Sequence, residues 1–285
     1  MLNFQSIFSH IAAIDPVAFR FFGWPIYWYG IIIGLAIFLG ISLAGRELKK
    51  KGFDEDIILD MMVWAIPLGF LGARLYYVIF EWDYYQQNLG EILAIWNGGI
   101  AIYGGVIAGG LTAYFYAKRR QINPIFILDV AAPYLLLAQA MGRWGNFINQ
   151  EAHGGPVSED FLRNTLHLPN FIVEGMHIDG VFYQPTFLYE SLWNFLGVAF
   201  LLVLRGRDKT LKLGETSLLY LLWYSFGRFF IEGLRTDSLY IGPLRVSQVL
   251  AGILVLLSLA LIIYRRKQDH TPLPYYSEIE GPDYQ

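Results

Sequence analysis

Cysteine is absent from the 285 residues. A thiol nucleophile, a thiolate metal site and a disulfide staple are therefore excluded, and the redox state of the surroundings leaves no trace in the chain. Charge is scarce as well: Asp, Glu, Lys and Arg make up 16% of the sequence, against about 25% in an ordinary soluble domain. The net charge of −3 offers no broad basic field, which removes nucleic acid as a partner. Zinc-protease, nucleophile-elbow and phosphate-loop motifs are missing, as are paired aspartates within an apolar run, so hydrolytic and nucleotide-driven chemistry lack support. The five histidines are scattered and no carboxylate pair has ligand spacing, so neither a metal nor a cofactor is expected. What fills the chain instead is apolar: 55% of residues are hydrophobic and the mean hydropathy is +0.41. Lipid is the solvent that fits this composition.

A helix crossing about 30 Å of hydrocarbon needs roughly 20 mainly apolar residues. Seven stretches qualify: 24–44, 57–80, 99–117, 126–145, 185–204, 214–235 and 243–264. Their apolar runs are continuous rather than alternating, and backbone groups in lipid must be satisfied within the segment, so each is expected as a helix. No basic stretch precedes the run beginning at Phe21 and no small-residue cleavage site follows it, so the first span is expected to be retained. The expected fold class is an all-α integral membrane protein with about seven transmembrane helices. Residues 1–267 form the membrane domain, with a small extracytoplasmic cap at 146–184. Residues 81–98 contain "EILAIW", suited to lying along the interface. The polar, proline-bearing segment 268–285 is expected to be a disordered cytoplasmic tail.

Basic residues set the orientation. Of the 21 Lys and Arg, 14 fall in four clusters: Arg46/Lys49/Lys50/Lys51, Lys118/Arg119/Arg120, Arg205/Arg207/Lys209/Lys212 and Arg265/Arg266/Lys267. With seven spans they occupy alternate loops and the tail, which places the N-terminus outside and the C-terminus in the cytoplasm. The remaining seven are all arginines, and Arg74, Arg143, Arg228, Arg235 and Arg245 sit inside spans or at their outer ends. Positive charge there is disfavoured by topology and costly by solvation.

Two motifs concentrate that anomaly. In "GRWGNFINQEAHGG", residues 142–155, Arg143, Asn146 and Gln150 are spaced three and four apart, on one helical face, and Asn149, Glu151 and His153 follow. In "YSFGRFFIEGLR", Tyr224, Arg228, Glu232 and Arg235 recur at steps of four, four and three. An intrahelical Arg228–Glu232 pair that merely neutralises two buried charges is compatible with this spacing, but it leaves Arg235 over. "WNGGIAIYGGVIAGG" opens the third span with Tyr103 in its first turns and a small-residue face at Gly105 and Gly109. Tyr29 stands at the outer start of span one, Arg74 toward the outer end of span two, and Glu190 at the outer start of span five. Several arginines in a partly apolar cavity suit a phosphate ester, because the planar fork binds two oxygens and stays charged when desolvated. A phospholipid headgroup is the natural phosphate at that depth. On the residues alone, an enzyme, a lipid or anion transporter and an anion-binding scaffold all remain open, though no repeated pair of broken helices marks a transporter.

The motif "GRWGNFINQEAHG" matches G-R-x-G-N-F-x-N-x-E-x-x-G at every fixed position and resembles the signature of the prolipoprotein diacylglyceryl transferase family. "WYG" at 28–30, "GGIAIYGG" at 98–105, "QPTFLYE" at 184–190 and the Arg228 motif extend the likeness over most of the membrane portion. The resemblance implies transfer of the diacylglyceryl group of phosphatidylglycerol to the lipobox cysteine of a preprolipoprotein signal peptide, at the outer side of the bacterial inner membrane. The missing cysteine then arrives on the substrate. It implies Tyr103, Arg143, Arg228, Glu151 and Glu232 as catalytic residues, with Arg143 the main contact to phosphatidylglycerol. Substrate contacts are expected from Arg143, Asn146, Asn149, Gly154, Tyr29, Tyr224, Arg235, Arg74 and Glu190. Many relatives carry histidine where Tyr103 stands; a phenol titrating at about 10 is a poor base at neutral pH. Two roles for Tyr103 are open: a base, where neighbouring arginines lower the phenol, or a hydrogen-bond donor to phosphate or thiolate, with the thiol proton going to the leaving phosphate.

Overall fold

The computed structural model describes residues 15–267 and 273–281. Among these residues, seven helices of 18 to 25 residues coincide with the seven apolar stretches: α1 (Trp28–Lys50), α2 (Ile57–Phe80), α3 (Ile102–Arg119), α4 (Pro124–Ile148), α5 (Thr186–Arg205), α6 (Glu215–Glu232) and α7 (Val246–Lys267). Five of them, α1, α2, α4, α5 and α7, are long and apolar enough to cross a membrane. The other two are diluted, α3 by its glycines, tyrosines and terminal Lys118 and Arg119, α6 by Arg228 and the glutamates at its ends. The chain divides into two compact units, Met1–Gly40 with Ala131–Glu278, and Ile41–Val130 with Ile279–Gln285.

In the first unit the expected span from residue 24 starts later. Trp24–Tyr27 is a strand, β2, paired antiparallel with β1 (Val17–Phe21). Between them Phe22 and Gly23 both take positive φ, 48° and 84°, the backbone a two-residue hairpin turn requires. Pro25 is tolerated because a two-stranded ribbon is all edge.

Helices α5 and α6 are joined by two indoles. Trp193 Nε1 donates to the Trp223 carbonyl and Trp223 Nε1 to the Trp193 carbonyl, each at 2.9 Å, and the rings stack with centroids 4.5 Å apart. Glycine makes this possible: a Cβ on Gly197 would lie 2.5 Å from Trp223 Cδ1, and one on Gly227 would strike the Trp193 indole. Gly227→Ala is therefore expected to cost about 1–3 kcal/mol by overpacking, seen as a lower melting temperature in detergent; an unchanged melt would mean the indoles can shift.

The segment expected as a cap is folded. Strands β3 (Pro156–Val157), β4 (His177–Ile178) and β5 (Val181–Tyr183) make a sheet in the order β3-β5-β4. Asp179 and Gly180, with φ of 49° and 83°, close its hairpin. Leu162, Ile172, Val173 and Met176 from this segment bury against Phe147 of α4 and Phe187 of α5. A last hairpin, β6 (Tyr240–Ile241) with β7 (Leu244–Arg245), links α6 to α7.

The expectation of a disordered tail needs correction over residues 273–278. Tyr276 is buried, its N–H donates to the Leu211 carbonyl at 2.7 Å, and Leu213 N–H donates to the Pro274 carbonyl at 2.9 Å. The buried Arg205 guanidinium lies 5.3 Å from the Tyr276 ring and 5.4 Å from the Tyr134 ring. Composition hid this, because one aromatic over a buried cation and two backbone bonds outweigh the polar residues around them. Residues 268–272 lie outside the described residues.

The second unit is built on α2 and α3. Gly72 and Gly104 face each other so closely that a Cβ on Gly72 would stand 2.8 Å from the Gly104 carbonyl oxygen. Such small-residue faces let two backbones approach in lipid. Lys49 and Lys50 complete the last turn of α1. Gly52 (φ 76°) stops that helix: Phe53 N–H bonds the Leu48 carbonyl and Gly52 N–H the Lys49 carbonyl, the paired reverse bonds of a glycine C-cap.

Candidate functional site

Three helices of the first unit bring their charges to one place. Arg143 lies near the C-terminal end of α4, Glu190 in the second turn of α5, and Arg228 one turn before Glu232 at the end of α6. Glu190 joins the two arginines. Its Oε1 is 2.6 Å from Arg143 Nη2 and its Oε2 is 3.3 Å from Arg228 Nη1. Arg228 Nη2 is also 2.5 Å from Glu232 Oε2. The intrahelical pair foreseen from spacing thus exists, but it is half of a four-membered chain.

Burial decides which charge an incoming group would meet. The Glu190 and Glu232 side chains are 4% and 2% exposed, those of Arg143 and Arg228 19% and 18%. The carboxylates lie behind and the guanidinium groups in front. A guanidinium carries five N–H donors. Arg143 donates one, at 3.2 Å, to Asn146 Oδ1 and faces Glu190 as an ion pair; Arg228 donates one to Glu190 Oε2 and faces Glu232 as an ion pair. Each retains N–H groups without a protein partner among the described residues.

Asn146 passes the organisation outward, its Nδ2 donating to Glu151 Oε1 at 2.9 Å. Glu151 therefore reaches Arg143 through Asn146 rather than directly, and the exposed Asn149 touches Glu151 at 3.4 Å. A small pocket is lined by Asn146, Gln150, Glu151, His153, Met176 and Phe187. Tyr29, in the first turn of α1, lays its ring on Gly145 between Arg143 and Asn146; a Cβ at 145 would lie 2.9 Å from Tyr29 Cε2. Tyr224 keeps its place on the α6 stripe and stacks on Tyr220 with centroids 6.2 Å apart.

Four expected substrate contacts have other occupations. Glu190 is the tether just described. Gly154 is a packing position: a Cβ would stand 2.7 Å from Gln184 Cβ, and its N–H donates to the Gln184 carbonyl. Arg235 closes its fork on Asp237 at 2.9 and 2.7 Å; this hydrogen bond holds the Asp237 carboxyl below the usual carboxylate range. The backbone of Arg235 bridges to Gly154, so the two hold each other. Arg74, in the second unit, is buried and donates to four carbonyls, those of Glu91, Ile92, Gly98 and Gly99, at 2.6 to 2.8 Å. Arg245 is likewise taken, by the Glu232 carbonyl and by Tyr240 Oη at 2.8 Å. Tyr103 lies in the first turn of α3, exposed, in the second unit.

A family model described as prolipoprotein diacylglyceryl transferase matches residues 16–264. The chain is 53% identical over 268 residues to a protein of Listeria welshimeri named phosphatidylglycerol–prolipoprotein diacylglyceryl transferase, covering 94% of this chain and 95% of that one. A Listeria monocytogenes protein of the same name is also 53% identical over the same shares. One from Bacillus cereus is 51% identical over 269 residues, 94% of this chain and 98% of its own length.

Proposed function

The chain belongs to the prolipoprotein diacylglyceryl transferase family, and we propose that it transfers the diacylglyceryl group of phosphatidylglycerol to the thiol of a lipobox cysteine in a preprolipoprotein. One observation carries the assignment of residues: two partly open guanidinium groups held side by side by a buried carboxylate. The substrate sulfur attacks the lipid glycerol carbon, an S–C bond forms, the C–O bond to phosphate breaks, and glycerol phosphate leaves. The leaving phosphate gains charge, and fixed cationic donors stabilise that charge more than they stabilise the bound ester. Arg143 and Arg228 fill this role. Glu190 and Glu232 set their planes without touching the lipid, and Asn146 with Glu151 steadies Arg143. The thiol proton passes to the leaving phosphate, and Tyr103 acts as a hydrogen-bond donor to the reaction.

Seven spans support the reaction, with the N-terminus outside and the active site toward the extracytoplasmic face of the bacterial inner membrane. Basic residues close the last turns of α1, α3, α5 and α7, as the positive-inside rule requires for alternate helix ends. Arg143, Glu190 and Arg228 lie toward the opposite ends of α4, α5 and α6, where no lysine stands and the last turns of α4 and α6 carry no basic residue. Residues 1–267 then form the catalytic domain, with 146–184 as its outer cap.

The test is purified protein in phosphatidylglycerol vesicles with a lipobox peptide, read by mass spectrometry. A diacylglyceryl thioether on the peptide with release of glycerol phosphate is expected. Peptide recovered with its thiol free, while the lipid is moved or merely bound, would contradict the reading.

A further inference from the structure

Arg74, in the second unit, makes four side-chain hydrogen bonds, and the acceptors are all on the segment that leads into Tyr103. Its Nε donates to the Ile92 carbonyl at 2.7 Å, Nη2 to Glu91 at 2.6 Å, and Nη1 to both Gly98 and Gly99 at 2.8 Å. The Tyr85 ring covers the guanidinium at 5.1 Å. Gly98 and Gly99 both stand at positive φ, 82° and 75°, so that successive carbonyls turn onto one nitrogen, which L side chains resist. A Cβ on Gly99 would lie 2.6 Å from Arg74 Nη1 and 2.7 Å from Tyr77 Cε1. The next link is one residue from Arg74: the Ala73 carbonyl accepts the Ala101 N–H at 3.0 Å. Helix α3 starts there, with Ala101 as N-cap and no side chain capping it. Tyr103 follows in the first turn, and among the described residues nothing holds its phenol. Where that phenol stands is set by the backbone beneath it, and that backbone is set by Arg74.

We infer that Arg74 is a positioning residue for Tyr103: it fixes the start of α3 by gathering the carbonyls of 91–99, and acts on the transfer only through the tyrosine. The inference rests on the reading that Tyr103 takes part in the reaction. Buried arginine in lipid is costly unless its donors are matched, and here one planar fork serves four acceptors that a lysine ammonium, with three donors, cannot serve in the same geometry.

The experiment is a double-mutant cycle in phosphatidylglycerol vesicles with a lipobox peptide. Tyr103→Phe and Arg74→Lys are each expected to lower kcat by about a hundredfold, the cost of a lost hydrogen-bond donor to developing charge or of an ångström's misplacement. Added to Tyr103→Phe, Arg74→Lys is expected to change kcat by less than about twofold. A merely structural arginine would multiply the two losses, and that outcome overturns the inference while leaving the role of Tyr103 intact. Full activity in Arg74→Lys overturns it as well. Full activity in Tyr103→Phe instead sinks the reading of Tyr103, and the inference with it. If Arg74→Lys does not insert, Gly99→Ala carries the same cycle, since its Cβ displaces the guanidinium without removing it. A readout apart from activity is the 19F signal of 3-fluorotyrosine placed at 103, expected to shift in either variant while the same label at Tyr114 on α3 does not. A signal at 103 unmoved by both variants would overturn the inference.

Discussion

Arg143→Ala is expected to lower the rate of thioether formation by about a thousandfold, the scale seen when one fixed donor to a developing anion is removed. The protein is expected to remain folded, because Glu190 keeps Arg228 at 3.3 Å and is not left as an isolated buried charge. Arg143→Lys restores the charge but not the fork that reaches both Asn146 and Glu190, so it is expected to recover only part of the rate. The measurement is kcat/KM against phosphatidylglycerol concentration, paired with a thermal melt. A well-folded Arg143→Ala enzyme turning over at the wild-type rate would remove the guanidinium from the chemistry.

Glu190→Gln is the second large effect, and it separates two roles for this glutamate. As a tether, its carboxylate holds Arg143 with one oxygen and Arg228 with the other. The amide keeps the shape but cannot balance two cations, so the arginines lose their shared anchor. The expected result is a kcat lowered by about a hundredfold with no rise in KM for phosphatidylglycerol, since the open face becomes more cationic rather than less. Glu190→Ala is expected to cost about 3–5 kcal/mol of stability, the penalty for removing one partner from a buried ionic cluster. A raised KM at unchanged kcat would show that Glu190 meets the lipid directly.

The sequence made the stripes legible and the junctions illegible. Arg143 with Asn146, and Tyr224, Arg228 and Glu232, announce themselves by helical spacing, and the structure keeps each set on one helix. The Glu190 tether joins three helices, and no periodicity within a single helix reports that; its only trace was a carboxylate at the start of an apolar run, which demands a partner. The partners of Arg74, Arg235 and Gly154 went unannounced for a related reason. Those partners are loop carbonyls, Asp237 and the Gln184 side chain, none of which stands in a regular pattern with the residue it meets.

Fold legibility follows the same line. Continuous apolar runs placed all seven long helices, because length and hydropathy are local properties. Phe22–Gly23 and Asp179–Gly180 are the turn chemistry that went unread: each pair puts two successive residues at positive φ, which displaces the start of α1 and builds the hairpin of the cap. The ordered part of the tail depends on Arg205 and Tyr276 meeting across 71 residues of chain, a distance at which composition is silent.

The central claim is that Arg143 and Arg228, yoked by Glu190, grip the phosphodiester of a lipid. Solid-state NMR tests it directly, as dephasing of arginine 13Cζ signals by 31P in protein reconstituted with phosphatidylglycerol. Bidentate contact places carbon and phosphorus about 4 Å apart, so two dephased signals are predicted, one lost in Arg143→Lys and the other in Arg228→Lys. Dephasing confined to other arginines, with both of these signals untouched in a working enzyme, would contradict the account.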